Sequence, residues 1–238
     1  MIDFASLEQK APEFDLRELL EAGAHFGHQS RRWHPKMSQW IYTEKDGVHI
    51  FDLAKTAAQL QIAYNFAYDL GKKGKSIVLV GTKKQAREVI KEVAAASNLM
   101  SITSRWLGGL LTNWEQVNKS LRRMLDIEKG LVDGKFDKYT KRERVLLDKE
   151  RARQERFFGG IRELKGKPDA LFIIDPGREK VVVLEALKVG VPMIAIVDTN
   201  TNPDGIDIPI PANDDAVRSL SYITKAVVAG YEAGKRDK

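Results

Sequence analysis

Residues 170–197, ALFIIDPGREKVVVLEALKVGVPMIAIV, decide the fold. Ala170 to Ile174 and Met193 to Val197 are short, continuous apolar runs, and Glu179 to Val189 between them reads as a helix. Gly190-Val191-Pro192 makes a compact connection from that helix into the second strand. Buried strands separated by helices predict a parallel sheet covered on both faces. Towards the C-terminus, Ile206 to Ile210 reads as a proline-limited strand and Asp214 to Gly230 as a closing helix. Towards the N-terminus, Ser76 to Val80 is a buried strand, Lys83 to Ala96 a helix and Ser101 to Thr103 a short strand. Leu53 to Leu70 is an amphipathic helix with Leu60, Tyr64, Ala67 and Tyr68 on its inner side. Gln39 to Thr43 and Val48 to Phe51 flank a Lys45-Asp46-Gly47 turn. Leu16 to Ala24 is a short helix, and His25 to Lys36 a loop without a clean period.

The stretch Glu115 to Lys167 interrupts this alternation. It holds 16 Lys and Arg against 10 Asp and Glu, and the rest of the chain balances, so the net charge of +6 resides here. Val117, Leu121, Met124 and Leu131 keep helical spacing; Leu147, Phe158, Ile161 and Leu164 mark a looser second stripe. Two glycines, Gly130 and Gly134, fall in the break between them. Asp148 to Gln154 offers no large apolar residue, so part of the second helix has no core beneath it. The expectation is one α/β domain made of residues 1–114 and 168–238, with 115–167 inserted as a projecting basic helical hairpin.

Several chemistries find no support. There is no cysteine, which excludes disulfides, thiolate catalysis and cysteine zinc sites. Residues 1–12 lack a signal-peptide pattern and no apolar run approaches a membrane span, so a cytosolic protein is expected. Gly71 to Ser76 imitates a phosphate loop, but Asp69 stands where its first glycine belongs, and the segment precedes a strand instead of following one. Gly81-Thr82-Lys83-Lys84 follows a strand with a single glycine and reads as a turn. His25, His28 and His34 lie among Arg and Lys, which repel a cation.

Carboxylates gather where the strands end. Asp198 with Asp214 or Asp215 is a candidate divalent-cation site of oxygen ligands. The competing reading makes Asn213 or Asp214 a helix N-cap and Asp198-Thr199-Asn200 a turn. Nucleic-acid binding has more material. Arg31, Arg32 and Lys36 alternate with Trp33 and His34 in a loop without acids, Arg105 precedes Trp106, and Arg122 and Arg123 adjoin in the basic stretch. Such groups neutralise phosphates and stack on unpaired bases.

These residues resemble a known family, the bacterial small-subunit ribosomal protein S-two. The resemblance rests on LRELLEAGAHFGH at 16–28, WHPKM at 33–37, VHI at 48–50, VGTK at 80–83 and RWLGGLLTNW at 105–114. PDALFIID at 168–175, IVDTN at 196–200 and IPANDDA at 210–216 follow in family order; the pattern departs at Pro176-Gly177 and Thr201-Asn202. The resemblance implies a flavodoxin-like or Rossmann-like three-layer α/β fold with an inserted antiparallel coiled-coil hairpin. It implies no catalysis, no required cofactor, and a place in the cytoplasmic small ribosomal subunit, bound to its rRNA and to other ribosomal proteins. One of these would be the large OB-repeat protein. A divalent metal, zinc or magnesium, at Asp198, Asp214 and Asp215 is the one cofactor expectation. The RNA-binding candidates are Arg31, Arg32, Trp33, Lys36, Lys83, Lys84, Arg105, Arg122 and Arg123. Two rival functions are a protein-docking module that ignores RNA and a small-molecule enzyme at the carboxyl edge of the sheet.

Overall fold

The computed structural model describes residues 7–238; the part of the expected 1–114 segment that falls on residues 1–6 lies outside the described residues. The chain opens with α1 (Leu16–Glu21), β1 (Phe26–Gln29), β2 (Ile41–Lys45), β3 (Val48–Phe51) and α2 (Leu53–Lys72). It continues with β4 (Ile77–Val80), α3 (Lys84–Ser97), β5 (Met100–Ile102), α4 (Trp114–Val132) and α5 (Lys141–Phe158). Then follow β6 (Ala170–Ile174), α6 (Lys180–Val189), β7 (Met193–Val197), β8 (Ile208–Pro211) and α7 (Val217–Arg236).

Five strands form one sheet in the order β5-β4-β6-β7-β8, and every neighbouring pair is parallel. Counted from β4, this is the 2-1-3-4-5 order of flavodoxin-like sheets, whose ligand crevice lies between the first and third strands. Alternate residues serve opposite faces. Ile77, Leu79, Phe172, Ile174, Ile194 and Ile196 pack under α2, α3 and α7. Val78, Val80, Leu171, Ile173, Met193 and Ala195 pack with Val182 and Ala186 of α6 and with Trp106, Leu110 and Leu111. Three layers result, as the apolar strand runs predict.

α4 and α5 fall between β5 and β6 in the chain and contact each other. Val117, Leu121 and Met124 of α4 join Phe158, Ile161 and Leu164 in the core of the second sheet face, so the base of the insertion is packed, not free. Phe158 is the only buried residue of α5, because the run from Asp148 to Gln154 brings no large apolar side chain to bury. A reciprocal pair of hydrogen bonds between Thr140 and Glu143 starts α5.

α2 and α7 lie against each other, and at three glycines their backbones leave no room for a side chain. A Cβ on Gly71 or Gly234 would collide with the carbonyl oxygen of Tyr231 or Tyr68, and one on Gly230 would come within 2.6 Å of the Tyr64 oxygen. That close approach corrects one boundary. α7 runs on to Arg236, past the expected stop at Gly230, because that glycine is a packing position and not a helix terminator.

Two further expectations need correction. The segment from His25 is not all loop: Phe26–Gln29 forms β1 of a small antiparallel sheet ordered β1-β3-β2. Its register slips between Phe26 and Gln29, which hides the alternation. Asp214 caps no helix, since α7 starts three residues later with Ala216 at its N-cap. Asn213 Oδ1 instead accepts from the Asp215 and Ala216 amides and shapes the approach.

Candidate nucleic-acid interface

The crevice between β4 and β6 is filled by the protein's own ions. Lys83, at the turn after β4, places Nζ 2.6 Å from Asp214 Oδ1, 2.7 Å from Asp215 Oδ1 and 3.8 Å from Asp175 Oδ2. Asp175 follows β6 in the left-handed region, at φ 59°. Beside them, Thr82 donates from its amide to the buried Glu179, 3.2 Å away, and its hydroxyl bonds the same carboxylate. Burial opposes the charge of Lys83, but the bonds to Asp214 and Asp215 and the nearby Asp175 outweigh it, and its pKa is raised.

Asp198, at the end of β7, adds a fourth carboxylate. His28 of β1 meets it through Nδ1 at 3.0 Å and faces Asp215 through Nε2 at 3.6 Å. The Asp198 hydrogen bond holds His28 above its ordinary pKa against its partial burial. The pKa of Asp214 is raised too, which for a carboxylate disfavours the charge. Burial first, then the charges of Asp198 and Asp175, push it up to about 7 despite Lys83. Its Oδ2 is buried and has no hydrogen-bond partner. One ligand atom from each of His28, Asp198 and Asp214 lies within 4.8 Å of the others, a spacing that suits a cation. Sequence reasoning set His28 aside as one of three histidines among bases, and the irregular register of β1 left no alternation to single it out.

The same edge seats the basic loop. The His28 amide donates to Thr199 Oγ1 at 2.8 Å, the His34 amide to the Thr199 carbonyl at 2.7 Å, and Lys36 pairs with Asp204. Gly27 lies so close to the Thr199 side chain that no Cβ fits there. Arg31 and Arg32 are thereby held on the outside, both exposed, with Arg31 Nε 3.0 Å from Gln29 Oε1. The Trp33 ring is 39% exposed and sits 5.2 Å from the buried His49.

The other candidates are placed differently. Lys83 is turned inward, whereas Lys84 is exposed. Arg105 is exposed beside the buried Trp106. Arg122 and Arg123 are exposed on α4, and Arg123 Nε lies 3.3 Å from Glu150 of α5. Among the described residues, no hydrogen bond or ion pair joins Arg105, Arg122 or Arg123 to the loop around Arg31.

The segment 105–114 is organised by a residue that carries no motif in the sequence. The buried carboxylate of Glu185 accepts from Trp106 Nε1 and from the Gly109, Leu111 and Thr112 amides, at 2.7 to 3.3 Å. Burial raises its pKa, but these donors more than offset that and leave it lowered. A lone acid on the apolar side of a helix, between Val182 and Ala186, is its one signature.

A family model described as Ribosomal protein S2 matches residues 19–234, which takes in every group just described. The chain belongs to the ribosomal protein S2 family. That family is a ribonucleoprotein component of the small ribosomal subunit, serves translation, typically binds RNA, and is structural and not enzymatic. Family membership therefore gives this chain a small-subunit ribosomal role.

Proposed function

We propose that the chain is a structural constituent of the cytoplasmic small ribosomal subunit, fixed to small-subunit rRNA by exposed bases. Those bases are Arg31, Arg32 and Lys36 on the N-terminal loop, with Trp33 among them, and Lys84, Arg105, Arg122 and Arg123 elsewhere. The observation that carries this reading is the loop's seat on Thr199 and Asp204: the backbone is bolted down while Arg31 and Arg32 face outward. Preformed cations of this kind position a protein on phosphates without reading bases. Residues 115–167 act as an insertion that adds a second basic surface. Neighbouring ribosomal proteins, the large OB-repeat protein among them, are the protein partners. No cofactor is needed for this role; a divalent cation held by Asp198 and Asp214, with Asp215 and His28 alongside, would tie β1 to the sheet.

Salt-dependent binding to small subunits tests the proposal. Replacing Arg31 and Arg32 by alanine should flatten the slope of log affinity against log salt by roughly 0.7 to 0.9 for each phosphate no longer neutralised. The melting curve should hardly move, since exposed substitutions change stability by less than about 0.5 kcal/mol. Lys83→Ala should do the opposite, lowering stability and leaving the salt slope alone. An unchanged slope in the arginine variant, or co-sedimentation that survives RNase, would favour a docking module indifferent to RNA.

A further inference from the structure

The outward side of α6 carries a feature that RNA binding does not use. Val181, Leu184 and Leu187 stand three residues apart on one stripe and are 52, 66 and 50% exposed among the described residues. Leu184 and Leu187 border an open cleft of about 600 Å³ whose other wall includes Pro176, Asn202 and Asp204. Around the stripe, Arg178, Lys180 and Lys188 are exposed. The helix's own acid, Glu185, is turned inward onto the 106–112 segment, and Glu179 at its N-cap is turned onto Thr82. Across the cleft, Asp204 is paired with Lys36 and Asp175 faces Lys83. What remains is three aliphatic side chains framed by three cations.

We propose that this face of α6 docks an acidic amphipathic segment of a partner protein, with apolar side chains on the Val181–Leu184–Leu187 stripe and carboxylates towards Arg178, Lys180 and Lys188. Three facts select that occupant. Contiguous exposed aliphatic side chains at this spacing fit the apolar face of a helix laid alongside. RNA would satisfy the cations but leave the aliphatics against sugar and phosphate. A second copy related by a two-fold axis near Leu184 would bring Lys180 of each copy against Lys188 of the other, and like charges facing each other oppose association. The inference goes beyond the rRNA reading and does not rest on it, because none of these residues belongs to the proposed phosphate-binding set.

The test uses the full chain and two synthetic helical peptides, both with leucines at i, i+3, i+4 and i+7. One is flanked by glutamates and the other by lysines; a single-stranded RNA oligonucleotide is the third probe. By fluorescence anisotropy the acidic peptide should bind, and Leu184→Asp with Leu187→Asp should weaken it at least about tenfold. Lys180→Glu with Lys188→Glu should weaken it too and admit the basic peptide. Leu184→Asn should also weaken it, and serves if the double aspartate variant melts early. The Arg31 and Arg32 variant should bind the acidic peptide as the parent does, which separates this outcome from the RNA reading. Equal binding of both peptides, RNA binding that the Leu184 and Leu187 changes abolish, or self-association removed by those changes would each overturn the proposal.

Discussion

Asp214 concentrates the chemistry of the carboxyl edge in one side chain. Its pKa, raised from 3.8 to about 7, means that the folded state holds a proton between those values that the unfolded chain releases. Stability must therefore fall as pH rises through that window. His28 acts in the same sense: with its folded pKa raised, its contribution is complete below about 6.5 and is lost as pH rises through the folded value. The protein should melt higher at pH 5.5 than at pH 8. Asp214→Asn should flatten that dependence, and thermal melts of both proteins across the range measure it. A divalent cation inverts the preference, because it favours the ionised carboxylate. Zinc or magnesium should raise the melting temperature at pH 8 more than at pH 5.5 in the parent, and less in the variant. No metal effect at either pH would leave Lys83 and His28 as the counter-ions of this cluster.

At the scale of elements, α2 and α7 fit closely. Gly71, Gly230 and Gly234 let two backbones meet where any side chain would intrude. Gly234→Ala should therefore force the helices apart and cost about 2–3 kcal/mol, as overpacking does. Gly166→Ala, at a position open to solvent, is the control, and urea unfolding of both compares them. These glycines also mark what the sequence kept hidden. The strands of the parallel sheet were legible as apolar runs, since a strand buried on both faces needs little else, and Ala170–Ile174 and Met193–Val197 form as read. The end of α7 was not legible, because a glycine that terminates a helix and one that admits a neighbour look the same in one dimension. β1 was missed for a related reason: a bulge breaks the period-two signal that its pairing with β3 would otherwise give.

For the whole molecule, two basic surfaces are expected to act independently. The loop around Arg31 rests on β7 and its turn, whereas Arg122 and Arg123 ride on α4. Separate sites should have additive effects. Replacing Arg122 and Arg123 by alanine should flatten the salt slope of subunit binding by up to about 0.7 to 0.9 per phosphate, and the quadruple variant should show the sum. A quadruple variant no worse than either pair would mean that one surface alone meets RNA. The clustering of carboxylates at one sheet edge was visible in the sequence, because such acids follow strand ends. Their partners were not, since Lys83 and His28 reach them only through the fold. The glycine seam of α2 with α7 also bears on how the protein is made. α2 is complete when Lys72 is added, yet its partner face begins only at Val217. At roughly 5–20 residues per second, a ribosome leaves that groove and the apolar sheet face beside it uncovered for on the order of ten seconds. The nascent chain thus presents a sticky, half-built layer throughout most of its synthesis, a ready substrate for chaperones at the tunnel exit, and its final helix closes the fold like a latch.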